Sequence, residues 1–166
     1  MLQDIHGLSP QAYSSVFAGN GLGIMGASYL SRRLIGRLRP AQVLEAGVAV
    51  AGVGAALLLV AVLAGAPVGF VIAGLFLVVA PVGLVTPNAT ALALADHPAI
   101  AGSAAALLGV AQFLIGAAAA PLVGVAGTHS AVPMAITIAA MTVAAAMCAV
   151  MPARARGGGP RRGGAR

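Results

Sequence analysis

Polar side chains are sparse along this chain and unevenly placed. Long apolar runs alternate with short polar connections. Five runs reach the ~20 residues that a helix rising 1.5 Å per residue needs to cross a bilayer. They lie at about 11–30, 43–63, 68–94, 102–125 and 132–151. Residues 46–63 carry no polar side chain, and the third run is interrupted at Pro81 and Pro87. The connections SRRLIGRLRPAQ, AGAP, ADHPAIA and AGTHS are short, so consecutive helices are antiparallel neighbours. In lipid every backbone group must be satisfied internally, which leaves helices or a closed barrel. Runs this long are not the ~10-residue alternating strands of a barrel. The pattern predicts an all-α membrane protein with five transmembrane helices over 11–151. A short segment, 1–10, precedes them, and a Gly/Arg-rich tail, 152–166, is expected to be disordered.

Composition agrees. The chain is 60% hydrophobic and 7% charged, against about 25% charged residues in soluble domains. Three acids and nine arginines cannot cover this many apolar residues with a water-facing surface. There is no Trp and no Lys, so an aromatic belt is weak, and the Ala, Gly and Arg bias suits a GC-rich genome. One cysteine, Cys148, permits no disulfide within one chain. The opening MLQDIHGLSP lacks the basic region of a secretory signal.

Arginine sets the expected orientation. Arg32, Arg33, Arg37 and Arg39 lie between spans one and two, and Arg154, Arg156, Arg161, Arg162 and Arg166 follow span five. Four spans separate the clusters, so both fall on one side, which the positive-inside rule makes cytoplasmic. The N-terminus is then outside and the C-terminus inside, in a bacterial inner membrane. An outside start on five spans follows naturally if upstream helices are missing. The Arg/Gly tail reads as a topology anchor, although such tails also suit RNA or anionic lipid; no nucleic-acid partner is expected.

Within the spans, Asn20, Asn88, Thr90 and Gln112 stand with Ser14, Ser15 and Ser28 on spans one, three and four. Spans two and five hold almost nothing polar beyond Thr137 and Thr142, whose hydroxyls can bond back to their own helix. Spans two and five therefore read as outer, lipid-facing helices, and one, three and four as lining an interior. Asn20 and Gln112 are either interhelical hydrogen-bonding groups or polar points in a substrate path. Pro81 and Pro87 remove backbone bonds; each marks either a bent packing helix or a kink beside a gate. Small residues recur at helical spacing, as Gly19, Gly23 and Ala27, as Gly47, Ala51 and Ala55, and from Gly102 through Gly109, Phe113 and Gly116 to Gly124. Close helix packing in lipid uses such residues.

The chemistry-bearing residues exclude more than they suggest. Asp96 and His97 share one turn, while His6 and His129 fall on the opposite side. No pair has metal-ligand spacing, no catalytic set lies at membrane depth, and no Gly-rich phosphate loop with Lys is present. No enzyme activity, metal or cofactor is expected.

The run Pro87–Leu94 (PNATALAL), followed by Ala101–Gly109 (AGSAAALLG) and Gln112–Gly116 (QFLIG), resembles the tenth and eleventh helices of Bcr/CflA-type drug efflux transporters of the major facilitator superfamily. Gly7–Pro10 with Phe17–Gly23 is similar to that family's approach to the eighth helix. The resemblance covers most of residues 5–151. That family has twelve helices in two halves with both termini cytoplasmic, so this chain resembles helices eight to twelve, a partial C-terminal half. The resemblance implies proton-driven antiport of drugs or small metabolites by alternating access between lipid-embedded halves. Asn20, Asn88, Thr90, Gln112 and Phe113 would then be substrate-cavity candidates and Pro81 and Pro87 gating kinks. Gly19, Gly23, Gly109 and Gly116 would be packing positions, and Arg32, Arg33, Arg37 and Arg39 the cytoplasmic loop. Gly26–Arg39 resembles a degenerate copy of the superfamily's cytoplasmic signature. Ser31 stands where an acid usually precedes its arginine, which counts against the loop acting as a latch. Without the facing half, the chain alone is expected to transport nothing. A small membrane scaffold or accessory subunit is the alternative.

Overall fold

The computed structural model describes residues 9–95, 98–124 and 131–157. Among them are six α-helices: α1 (Pro10–Leu34), α2 (Pro40–Leu63), α3 (Val68–Val79), α4 (Val82–Leu94), α5 (Ala101–Gly124) and α6 (Val132–Gly157). One 3₁₀ turn, Pro98–Ile100, leads into α5. The segments around His6, Asp96, His97 and His129, and the tail beyond Gly157, lie outside the described residues.

Local chemistry sets the helix ends. Ser9 caps α1, its hydroxyl accepting from the Ala12 N–H at 3.2 Å, and Pro10 takes the first position, where no N–H is needed. Pro40 does the same for α2, and the Gln42 side chain accepts from the Arg39 N–H at 3.0 Å. The α2–α3 turn is a Schellman stop. Gly65 adopts φ +62°, the Ala66 N–H reaches the Ala61 carbonyl at 2.9 Å, and the Gly65 N–H reaches Val62 at 3.4 Å. Pro67 follows and α3 starts at once.

Pro81 splits the third run into α3 and α4. It has no N–H to continue the ladder. The chain restarts from new acceptors, with Leu84 and Val85 N–H groups both donating to the Pro81 carbonyl, at 2.8 and 2.9 Å. Pro87 behaves differently. It lies inside α4, exposed, and α4 continues through it. The interruption expected at two prolines therefore divides the helix at Pro81 alone. The two half-helices still form one apolar stretch, Val68–Leu94.

Four stretches are long and apolar enough to cross a membrane: Pro40–Leu63, Val68–Leu94, Ala101–Ala119 and Val132–Ala149. At 25 residues α1 is long enough, but its asparagine, serines and terminal arginines keep it out of that apolar set. The first of the five expected spans thus rests on length and not on apolarity. At the other end α6 continues through Arg154 and Arg156 to Gly157, past the boundary expected near Met151.

The packing overturns the reading of the second span as an outer helix. α2 is the centre of the bundle and lies against α3, α4 and α6, while α1 lies against α4 and α3. The core gathers Leu58 and Ala61 of α2, Val71 of α3 and Ala135 of α6, with Val16, Ile72 and Ile138 around them. By contrast the main neighbours of α5 are α4, α6 and the turn before it, and nothing in its spanning window is buried. An apolar helix reads the same whether it meets lipid or other helices. The purest run, α2, is apolar because it is surrounded by protein.

Backbone proximity is made by glycine. A Cβ at Gly54 would lie 2.7 Å from the Leu77 backbone, and one at Gly74 2.9 Å from the Leu58 Cα. Each helix of the α2–α3 pair therefore seats a leucine of the other.

Candidate functional site

Between α1 and α3 lies an open groove of about 660 Å³. Val16, Ile72, Ala73 and Leu77 give it apolar walls, Gly19 and Gly69 widen it, and Phe76 lies along it. A Cβ at Gly19 would meet nothing within 4 Å. The ring of Phe76 seats on Gly23, where a Cβ would come within 2.7 Å of it. Two polar side chains line the groove, Ser15 and Asn20. Ser15 donates its hydroxyl to the Gln11 carbonyl at 3.0 Å, so its proton is held by its own helix. The half-buried Asn20 amide is the polar point a ligand in the groove would meet. An apolar trough with one amide suits a small, mostly apolar molecule that carries a hydrogen-bonding group.

The other cavity candidates lie elsewhere. Asn88 is buried in the α1–α4 seam. Its Nδ2 donates to the Ser31 hydroxyl at 2.8 Å and to the Leu84 carbonyl at 2.7 Å. Placed there, it clamps two helices and lines neither of the two hollows described for this bundle. Beside it α1 and α4 almost touch: a Cβ on Gly83 would collide with the Ile24 carbonyl oxygen and lie 2.8 Å from the Ser28 nitrogen. Thr90 is half-buried on α4, whereas Gln112 and Phe113 stand exposed on α5. Phe113 is 83% exposed. Of the five candidates, the α1–α3 groove holds Asn20 alone.

Of the four expected packing glycines, Gly23 alone makes a close contact. Cβ atoms at Gly19, Gly109 and Gly116 would meet nothing within 4 Å. Gly19 opens the groove instead. Gly116 lines a second hollow of about 380 Å³ with Ala119, Val78, Ile138, Met141 and two threonines. Those threonines, Thr137 and Thr142, donate to the Pro133 and Ile138 carbonyls at 2.8 and 2.7 Å, as their positions in an apolar helix suggest. The other positions that pack tightly, Gly47, Gly54, Gly74 and Gly83, are mostly ones that sequence spacing did not single out. Only Gly47 belonged to a recognised stripe. The others have no marker beyond being glycine, since what makes them matter is a leucine or a backbone arriving from another helix.

Ser31 was legible only as a departure from an acid, and its buried bond to Asn88 needed the fold. The four loop arginines are all exposed. Arg33 and Arg32 lie 4.9 and 6.0 Å from the centroid of the Tyr29 ring. Among the described residues no three His, Cys, Asp or Glu side chains gather as a metal site would require.

The chain is similar to an uncharacterised MFS-type transporter, YdgK, of Bacillus subtilis (strain 168). The two are 36% identical over 132 residues, which is 80% of this chain and 33% of the relative. The chain thus spans about a third of that relative's length. No family model matches the chain, and no solved structure matches it. With the helical architecture, this likeness supports a multi-pass membrane protein that carries part of a major facilitator fold.

Proposed function

We propose that the chain is the C-terminal portion of a major facilitator transporter, corresponding to the eighth to twelfth helices of a Bcr/CflA-type exporter. It would contribute to proton-coupled antiport of drugs or other small molecules across a bacterial inner membrane, without enzymatic chemistry. The observation that carries this reading is the similarity over most of the chain to a third of a transporter. The packing favours it too. Gln112 sits at the middle of α5 on a surface that no described helix covers. An amide at that depth has no partner in lipid, so a facing bundle or a watered pathway is the environment that suits it.

In this reading Asn20, with Phe76 and the groove walls, forms part of the substrate surface, and Gln112 and Phe113 face the other half. Pro81 sets the break between α3 and α4, and Asn88 holds α4 to α1. Both chain ends of the bundle are oriented by arginine, with the N-terminus outside and the C-terminus inside.

The test is efflux of a fluorescent cationic dye from energised cells. Cells making residues 1–166 alone are expected to match empty cells. Cells that also make the preceding seven helices of a matching transporter are expected to extrude the dye, with Asn20→Ala lowering that activity several-fold. Efflux by residues 1–166 alone, or none with the complement correctly inserted, would overturn the proposal.

A further inference from the structure

We propose that the arginine turn between α1 and α2 binds the phosphate of anionic phospholipid headgroups. The inference stands apart from the transport reading, since it rests on the turn alone. The turn has a defined shape. The Leu34 carbonyl accepts from the N–H groups of both Arg37 and Leu38 at 3.0 Å, Gly36 takes φ +84°, and the reversal brings Ile35 beside Leu38. All four arginines point outward from it or from its edges. Tyr29 lies under Arg33 and near Arg32, which restricts two guanidinium groups over an aromatic face. From Ser31 to Glu45 there are four arginines and one acid, Glu45, which is itself exposed: +4 − 1 = +3.

Charge alone would suit any anion. What narrows the class is the apolar surface set between the arginines. Ile35 is 74% exposed, Leu38 44% and Leu30 48%. They sit at the mouth of α2, a helix long and apolar enough to cross the bilayer, where headgroups give way to acyl chains. A phosphodiester offers oxygens to the guanidinium forks, and its acyl chains cover Ile35 and Leu38. A free phosphate provides the first contact without the second, and a nucleic acid would leave the isoleucine against a charged backbone.

The experiment uses the whole chain in phosphatidylcholine vesicles. The natural sequence has no Trp, so Ile35→Trp introduces one indole at an exposed position. Dibrominated phosphatidylglycerol is expected to quench it at least twofold more than dibrominated phosphatidylcholine at equal mole fraction. Each Arg→Gln change should lower the relative affinity for phosphatidylglycerol, read by titrating its mole fraction, by about fivefold, from roughly 1 kcal/mol per basic residue near an anionic surface. The preference should shrink as salt is raised and survive millimolar inorganic phosphate. Equal quenching by the two lipids overturns the proposal. So does a preference abolished by inorganic phosphate, which would assign the turn to a free anion. A preference that survives Arg32, Arg33, Arg37 and Arg39→Gln but vanishes with Arg154 and Arg156→Gln also overturns it, by moving the site to the end of α6. Should the fourfold variant lose its helical circular dichroism, the pairs Arg32/Arg33→Gln and Arg37/Arg39→Gln carry the same comparison.

Discussion

At the scale of single residues, the seam between α1 and α4 is held by one polar bond and one missing side chain. Asn88 reaches Ser31 in a buried pair, and Gly83 lets the Ile24 carbonyl come close. Interhelical hydrogen bonds in membrane proteins couple by only about 0.6 kcal/mol on average. A double-mutant cycle of Asn88→Ala and Ser31→Ala, read by unfolding in detergent, should give a coupling of about that size. A coupling indistinguishable from zero would show that the pair is incidental. Gly83→Ala should cost more, about 1–3 kcal/mol, because the added methyl group meets backbone that cannot rotate away. Gly109→Ala, with open space around it, should change stability by less than about 0.5 kcal/mol. Equal effects at the two glycines would refute this reading of the seam. The sequence marked Asn88 as a polar side chain within a span and so as a cavity candidate. It did not make the partner legible, because Ser31 lies 57 positions away. Likewise Gly109 and Gly83 look alike as letters, and only a neighbouring helix tells them apart.

At the scale of elements, the break between α3 and α4 belongs to Pro81 and the centre belongs to α2. Pro81→Ala should restore the ladder and straighten α3 into α4. Spin labels at Gly69 and Ala91, in a Cys148→Ala background, should then move apart toward the roughly 33 Å of a straight 22-residue rise. An unchanged distance would mean that packing, and not the proline, imposes the break. Four of the five apolar runs coincide with helices long and apolar enough to cross a membrane, since length and hydropathy are local properties. The assignment of α2 to the lipid-facing layer failed for a physical reason. In a bundle inside lipid, burial in protein and exposure to acyl chains select the same side chains. The small-residue face of α2 carried the correct signal, as Gly47 and Ala55 are both buried.

At the scale of the whole molecule, the bundle is lopsided. The core joins α2, α3 and α6 through Leu58, Val71 and Ala135, while α5 is left bare. Ala135 is fully buried, so Ala135→Phe should overpack that junction by about 1–3 kcal/mol and loosen α6, measured as faster proteolysis of its end in micelles. The same change at Met147, which is 64% exposed, should do nothing comparable. If both variants are cleaved alike, the junction is not where the stability resides.

The Schellman stop at Gly65 also has a consequence in time. It closes α2 and α3 into a hairpin whose contacts are near in sequence, so they can form as soon as both helices have emerged from the ribosome. The α2–α6 junction cannot, since roughly 70 residues separate the end of α2 from the start of α6. At about 5–20 residues per second of synthesis, the α6-facing side of α2 waits on the order of 3–14 s for its partner. During that interval a finished hairpin has one face closed and the other open to whatever helix the membrane offers first.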